Sequence, residues 1–203
     1  MCELKGWRKF MRKSYLGALI VFVLFVSSAA NAKWLGTQVI TIAGVDNSPI
    51  TDTVSVRGSA HMFSIPGQDF NLLFGYVGPR FNLTDWFWTA PQVGTAANWT
   101  PDGGDAFLTS IWNGITLGDV FIFLEGDVNF YEGKNDYYGY YTLDYNIGQV
   151  SVGAQVEHVN KDTIVGPHVT LASKSGPFFS AQYYVAAESE FAHTCRYVVG
   201  LLF

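Results

Sequence analysis

Four carboxylates and four bases interrupt otherwise apolar segments of this chain: Glu125, Asp127, Asp144 and Glu157, with Arg57, His61, His168 and Arg196. A charge held among apolar neighbours is costly unless it is paired. The first chemistry to expect is therefore a network of ion pairs. Because the carboxylates outnumber the two arginines, the second is a surface that prefers cations. Interleaved with the acids stand Phe121, Phe123, Tyr131, Tyr138, Tyr140 and Tyr184, whose flat faces can stack small solutes while neighbouring polar groups hydrogen-bond them. His168-Val169-Thr170 puts a base and a hydroxyl on one face, about 7 Å apart along a strand. Threonine is a poor nucleophile in such a pair, and Phe178–Val185 supplies no acid to support it, so no catalytic site is expected. His61, His158 and His193 lack metal-ligand spacing, and neither a metal nor any other cofactor is expected.

Residues two apart share a face only on a strand, and strand alternation is what the chain offers. In Val120–Tyr131, Val120, Ile122, Leu124, Val128 and Phe130 alternate with Phe121, Phe123, Glu125, Asp127 and Asn129. Gln149–Val159, Phe178–Val185 and Thr53–Ser64 divide in the same way, one side apolar and the other polar. Clusters of Gly, Asn, Asp, Pro and Lys separate these segments, which is the strand-and-turn signature. The pattern predicts strands at about 53–64, 70–83, 86–99, 106–117, 120–131, 137–146, 149–159, 164–173, 178–185 and 195–203. That makes ten, with eight or twelve as alternatives and Gln38–Val45 as a further candidate. In 70–83 and 106–117 the face assignment is ambiguous, and a bulge near Gly75 or Gly114 is expected to account for it.

Lys5, Arg8, Lys9, Arg12 and Lys13 precede an apolar run from Leu16 to Val26, followed by Ala30-Asn31-Ala32. That is the layout of a secretory signal peptide, cleaved after Ala32. The apolar run is too short to span a bilayer as a helix, and no later segment is long enough. Removal of residues 1–32 leaves 7 basic and 16 acidic residues, a net charge of −9, and Cys195 as the only thiol. An intramolecular disulfide is then excluded, and nucleic-acid binding is not expected from so acidic a chain. Over the full chain 49% of residues are hydrophobic and 14% charged, the opposite of a disordered composition.

Counted back in twos from the C-terminus, Phe203, Leu201, Val199 and Tyr197 share one face. This resembles the C-terminal assembly signal of bacterial outer-membrane β-barrels, a last strand ending in Phe with apolar and aromatic residues at alternate positions. The resemblance implies a closed antiparallel up-and-down transmembrane barrel in the outer membrane. Outer-membrane lipids, lipopolysaccharide, periplasmic chaperones and the barrel assembly machinery would be its partners. Only helices and closed barrels satisfy every backbone group within lipid, and aromatic girdles are part of the barrel pattern; Trp86, Phe87, Trp88 and Trp99 suit them. Glu132–Asp136, Asn160–Asp162, Thr100–Asp105, Ala186–Thr194 and Ile65–Asp69 would then be outer loops. They carry mostly acids: Asp102, Asp105, Glu132, Asp136, Asp162, Glu188 and Glu190 against Lys134 and Lys161.

Gly118-Asp119-Val120-Phe121-Ile122-Phe123, Tyr137-Tyr138-Gly139-Tyr140 with Asp144, and Pro79-Arg80-Phe81 resemble the nucleoside-specific channel-forming Tsx-like family, whose usual members are longer and twelve-stranded. That resemblance implies a diffusion channel for small solutes or nucleosides with aromatic sites.

The expectation is an all-β barrel of about ten strands over 52–203, preceded by a leader at 1–32 and a periplasmic segment or extra strand at 33–51. Its role is structural or at the cell surface, non-enzymatic, with a lumen mostly plugged by Arg57, Glu125, Asp127, Asp144, Glu157, His168 and Arg196. The alternative is a narrow passive channel, with Phe121, Phe123, Tyr138, Tyr140 and Tyr184 stacking the solute. A lipid-modifying enzyme and a soluble sandwich are the remaining readings.

Overall fold

The computed structural model describes residues 34–67, 70–98, 104–173, 175–186 and 193–202. The leader at 1–32, Phe203 of the assembly signal, Trp99, and the loop acids Asp102, Glu188 and Glu190 lie outside them.

Eleven strands form one closed barrel: β1 (Trp34–Pro49), β2 (Val54–Ile65), β3 (Phe70–Asn82), β4 (Phe87–Asn98), β5 (Ala106–Leu117), β6 (Val120–Tyr131), β7 (Lys134–Ile147), β8 (Val150–Val159), β9 (Asp162–Ala172), β10 (Pro177–Ala186) and β11 (His193–Leu202). The ten strands expected from alternation are β2 to β11. The eleventh, β1, lies between β2 and β11. It pairs antiparallel with β2, Ile42 opposite His61, and parallel with β11, Gln38 opposite Arg196. An up-and-down barrel closes antiparallel only with an even strand number, so the odd strand makes one parallel junction and the barrel is mixed. β1 takes this place with a β-branched run, Thr37-Gln38-Val39-Ile40-Thr41-Ile42, and with a bulge between Val45 and Ser48.

Neighbouring strands otherwise meet in hairpins. The β1–β2, β3–β4, β5–β6, β7–β8 and β9–β10 strand ends meet at one rim of the barrel, that of the tight turns, and the other consecutive strand ends lie at the opposite rim, the loop end. Two connections at this loop end are tighter than the expected Glu132–Asp136 and Asn160–Asp162. Gly133 at φ 80° and Asn160 at φ 54° adopt the left-handed conformation that two-residue hairpins use, so β7 begins at Lys134 and β9 at Asp162.

The alternation predicted for β2, β6, β8 and β10 sorts the side chains into two surfaces. Outside stand Val77, Val93, Ile111, Leu143, Val169 and Val199, with Ile111 50% and Val199 48% exposed. Outward aromatics include Phe107, Phe130 and Tyr137 toward the loops and Trp86 and Tyr145 toward the tight turns, with Tyr141 between them at mid-strand. Inside lie the polar residues and one apolar cluster, Tyr76, Trp88, Ala90, Ala96, Leu108 and Trp112 among them. This cluster explains the ambiguity of the third and fifth strands. Both faces of β3 and β5 are apolar because one faces outward and the other packs within the lumen. Neither strand is bulged. The pairing runs unbroken through Gly75 and Gly114, and Gly114 is glycine because the Trp88 indole lies where a side chain would begin. Trp88 is therefore an interior residue, 8% exposed, and not part of a girdle.

Candidate functional site

A cavity of about 800 Å³ runs inside the barrel, with lining residues from Tyr131, Asp136 and Asp162 at the loop end to Asn146, Ser151 and Phe178 at the turn end. All eight charged or basic residues singled out in the sequence line it, as do Phe121, Phe123, Tyr131, Tyr138 and Tyr140. Tyr184 is fully buried behind this surface, where its hydroxyl binds Arg196 and Gln182.

The polar lining falls into four groups. The first is centred on Arg196, 4% exposed. Its two terminal nitrogens bind both oxygens of Glu157, one also reaches the Tyr184 hydroxyl at 3.0 Å, and Nε donates to Gln38 Oε1 at 2.8 Å. This forked geometry is the strong form of an arginine–carboxylate pair. It joins β11 to β8 and, across the parallel seam, to β1. Beside it the Gln182 amide donates to the Tyr140 hydroxyl, which donates to Gln155 Oε1.

In the second group, nearer the tight turns, Asp144 accepts from Thr142 Oγ1 at 2.7 Å and pairs with His168 Nε2 at 2.5 Å. The two strands involved, β7 and β9, are not neighbours; β8 lies between them, with Gly153 opposite both Asp144 and His168. Glycine is required at that position, since a Cβ would meet the His168 ring. Thr170, the hydroxyl two residues on from His168, donates instead to Ser180 Oγ at 2.8 Å.

The third group holds Arg57, which pairs with Asp46 rather than with Glu125 or Asp127. Arg80 pairs with the same carboxylate. The guanidinium of Arg57 lies 4.5 Å from the Trp112 ring centre and 4.9 Å from that of Trp88, and Arg80 lies 4.2 Å from Trp88. Two cations are thus held by one carboxylate and two indoles, the aromatic faces replacing part of the lost hydration.

In the fourth group Asp127 accepts from Tyr76 Oη at 2.7 Å and from Ser110 Oγ. Glu125, two residues along β6, lies against the Asp127 carboxyl. Neither forms an ion pair among the described residues. Around them a run of rings joins Phe74, His61, Tyr76, Trp112, Phe123 and Tyr140 through centroid distances of 4.8–6.2 Å.

Asp46, Gln38, Tyr76 and Ser110 belong to these groups and were not singled out in the sequence, and Arg80 was named only within the Pro79-Arg80-Phe81 motif. Asp46 continues the inward positions of β1 after Gln38, Ile40 and Ile42 and falls beside Arg57 of β2, in a strand whose inward face is otherwise too apolar to mark it. Tyr76 and Ser110 sit in β3 and β5, where alternation is lost. Arg80 carried a signal as the one strong charge in an apolar stretch. Tyr197, Val199 and Leu201 of the assembly pattern all point outward on β11.

No protein-family model matches the chain, and neither a curated protein nor a solved structure matches it.

Proposed function

We propose that the chain is an integral outer-membrane β-barrel protein, non-enzymatic, with a structural or surface role and a lumen braced by paired charges. The observation that carries this reading is the inversion of its two surfaces. Large aliphatic side chains are exposed around the outside, while Arg196, Glu157, Asp127 and Gln155 are buried within. In water such an exterior would be an aggregation hazard; against hydrocarbon it is the required surface, with aromatic belts at its two borders. Strand closure completes the argument, since a barrel leaves no unpaired edge in lipid. The loop end would face outward and the tight turns the periplasm, with insertion by the assembly machinery after export and cleavage at Ala32. Lipopolysaccharide and lipid are the expected surroundings. The test is extraction with outer membranes, together with heat-modifiable migration of the folded protein. A chain that remains soluble without detergent and does not change mobility on boiling overturns the reading.

A second reading, a narrow passive channel for small solutes, is favoured by one observation: the cavity is lined from the loop end to the turn end. Planar-bilayer recordings separate the two. Steady openings establish conduction, whereas silence from heat-modifiable barrels leaves the structural role alone.

A further inference from the structure

From the same cavity we infer a binding site for an uncharged pyranose sugar, with rings on one side and hydroxyls and amides on the other; it rests on the channel reading only in needing a lumen reachable from one end. The first argument is placement. Tyr76, Trp112 and Phe123 line the cavity from β3, β5 and β6, while Asn146, His168 and Ser180 line it from β7, β9 and β10. In the closed strand order the two sets lie on opposite arcs of the wall. A solute between them meets aromatic faces on one side and polar groups on the other, and a cavity of about 800 Å³ is ample for a sugar ring.

The second argument is the hydrogen bonding left over on the polar arc. Ser180 Oγ accepts from Thr170 at 2.8 Å, and its own hydrogen has no acceptor among the described residues. Asn146 Oδ1 accepts from Ser151 at 2.5 Å, and its amide hydrogens have none there either. His168, 5% exposed and on the cavity wall, uses Nε2 for Asp144 and keeps Nδ1 without a partner among the described residues. Such a mixture of donors and an acceptor suits a rim of hydroxyls, each of which gives and takes hydrogen bonds.

Charge and ring geometry then narrow the ligand. Arg196 faces Glu157, His168 faces Asp144, and Asp46 faces both Arg57 and Arg80. Glu125 and Asp127 are hydrogen-bonded carboxyl to carboxyl, which requires a shared proton. A charged solute therefore finds no spare counter-charge at this level and would lose its hydration without return. Tyr76, Trp112, Phe123 and Tyr140 stand in turn at 59°, 81° and 60° to one another, so they form no slot of parallel faces. A planar base would stack on one ring alone. A puckered pyranose carries C–H groups on both faces and can rest on several tilted rings at once.

The probe is methyl β-glucopyranoside, titrated by saturation-transfer NMR into the full barrel in lauryldimethylamine oxide, a detergent without a sugar head group, with irradiation at the protein's aromatic protons. Its ring C–H signals are expected to take up saturation and to reach a plateau. The affinity is expected to exceed by at least about threefold those of sorbitol, which has the hydroxyls without the ring, and of uridine. Ser180→Ala is expected to weaken the glucoside at least about twofold, the loss of one hydrogen bond, with heat-modifiable migration as the folding control. Sorbitol bound as tightly as the glucoside, uridine bound more tightly, or no saturable transfer to the glucoside each overturns the site, and none of these results needs a variant. Bilayer recordings in potassium chloride are read separately. Conduction without glucoside binding overturns this site and leaves the channel; glucoside binding by a silent barrel supports the site and removes the channel.

Discussion

Arg196 holds four hydrogen bonds at the point where the barrel closes, and its partner Glu157 is buried with it. Removing one member of such a pair strands the other charge, at a cost of about 3–5 kcal/mol, whereas replacing both by apolar groups of similar volume can be neutral. Arg196→Met is therefore expected to destabilise the folded barrel by about that amount, and the double variant Arg196→Met with Glu157→Leu to recover most of the loss. Urea unfolding in vesicles measures both, and a double variant no more stable than the single one refutes the pairing as the source of the effect. At this scale the sequence was legible in direction and not in partnership. Period two placed Arg57, Glu125, Asp127, Glu157 and Arg196 on inward faces. It could not say that Glu157 would meet Arg196 while Arg57 turned to Asp46. Such choices depend on which strands close the barrel, and on β1, whose inward face is mostly apolar.

At the scale of the strand, alternation works where one face meets polar groups and the other does not. β6, β8 and β10 satisfy that condition, and their limits in sequence and structure agree to within one residue. β3 and β5 do not, because Phe74, Tyr76, Leu108 and Trp112 make the interior side as apolar as the exterior. An expectation of bulges there was the wrong remedy for a real symmetry between the two faces. The outward face of β5 also provides a test of what surrounds the barrel. Ile111 lies at the middle of its strand, half exposed. In a bilayer, Ile111→Arg is expected to cost about 2–4 kcal/mol, the penalty for a cation at mid-membrane depth on a barrel surface. Measured by urea titration in vesicles, an effect near zero would mean that this face does not meet hydrocarbon.

For the whole molecule, the parallel junction is the least expected feature and the easiest to check. Thr37 stands opposite Cys195 across it, and directly paired strand residues lie within the Cα separations a disulfide accepts. Thr37→Cys, oxidised in the folded protein, is expected to form a Thr37→Cys–Cys195 cross-link that shifts gel mobility and persists on boiling until reduced. Failure to cross-link under oxidation, with both thiols accessible to alkylation, would exclude this register. An antiparallel barrel of ten strands closed between β2 and β11 would leave position 37 with no such neighbour. Alternation had already indicated an all-β chain and the C-terminal resemblance a closed barrel, while the closing step escaped both because it depends on one strand whose two faces are nearly alike.

Trp34 and His193 stand together at the loop end, while the described chain finishes at Leu202 by the tight turns. Repeating a hairpin always returns both ends of a chain to one rim, and such barrels can be cut open at any loop and rejoined by a short linker. Here the start of β1 and the end of β11 are separated by the length of one wall strand, about 33 Å for ten residues. A circular permutant would need a connector long enough to run the full length of the wall, through lipid or through the lumen. The chain order is thereby fixed by geometry, and duplication of hairpins alone could not have produced it.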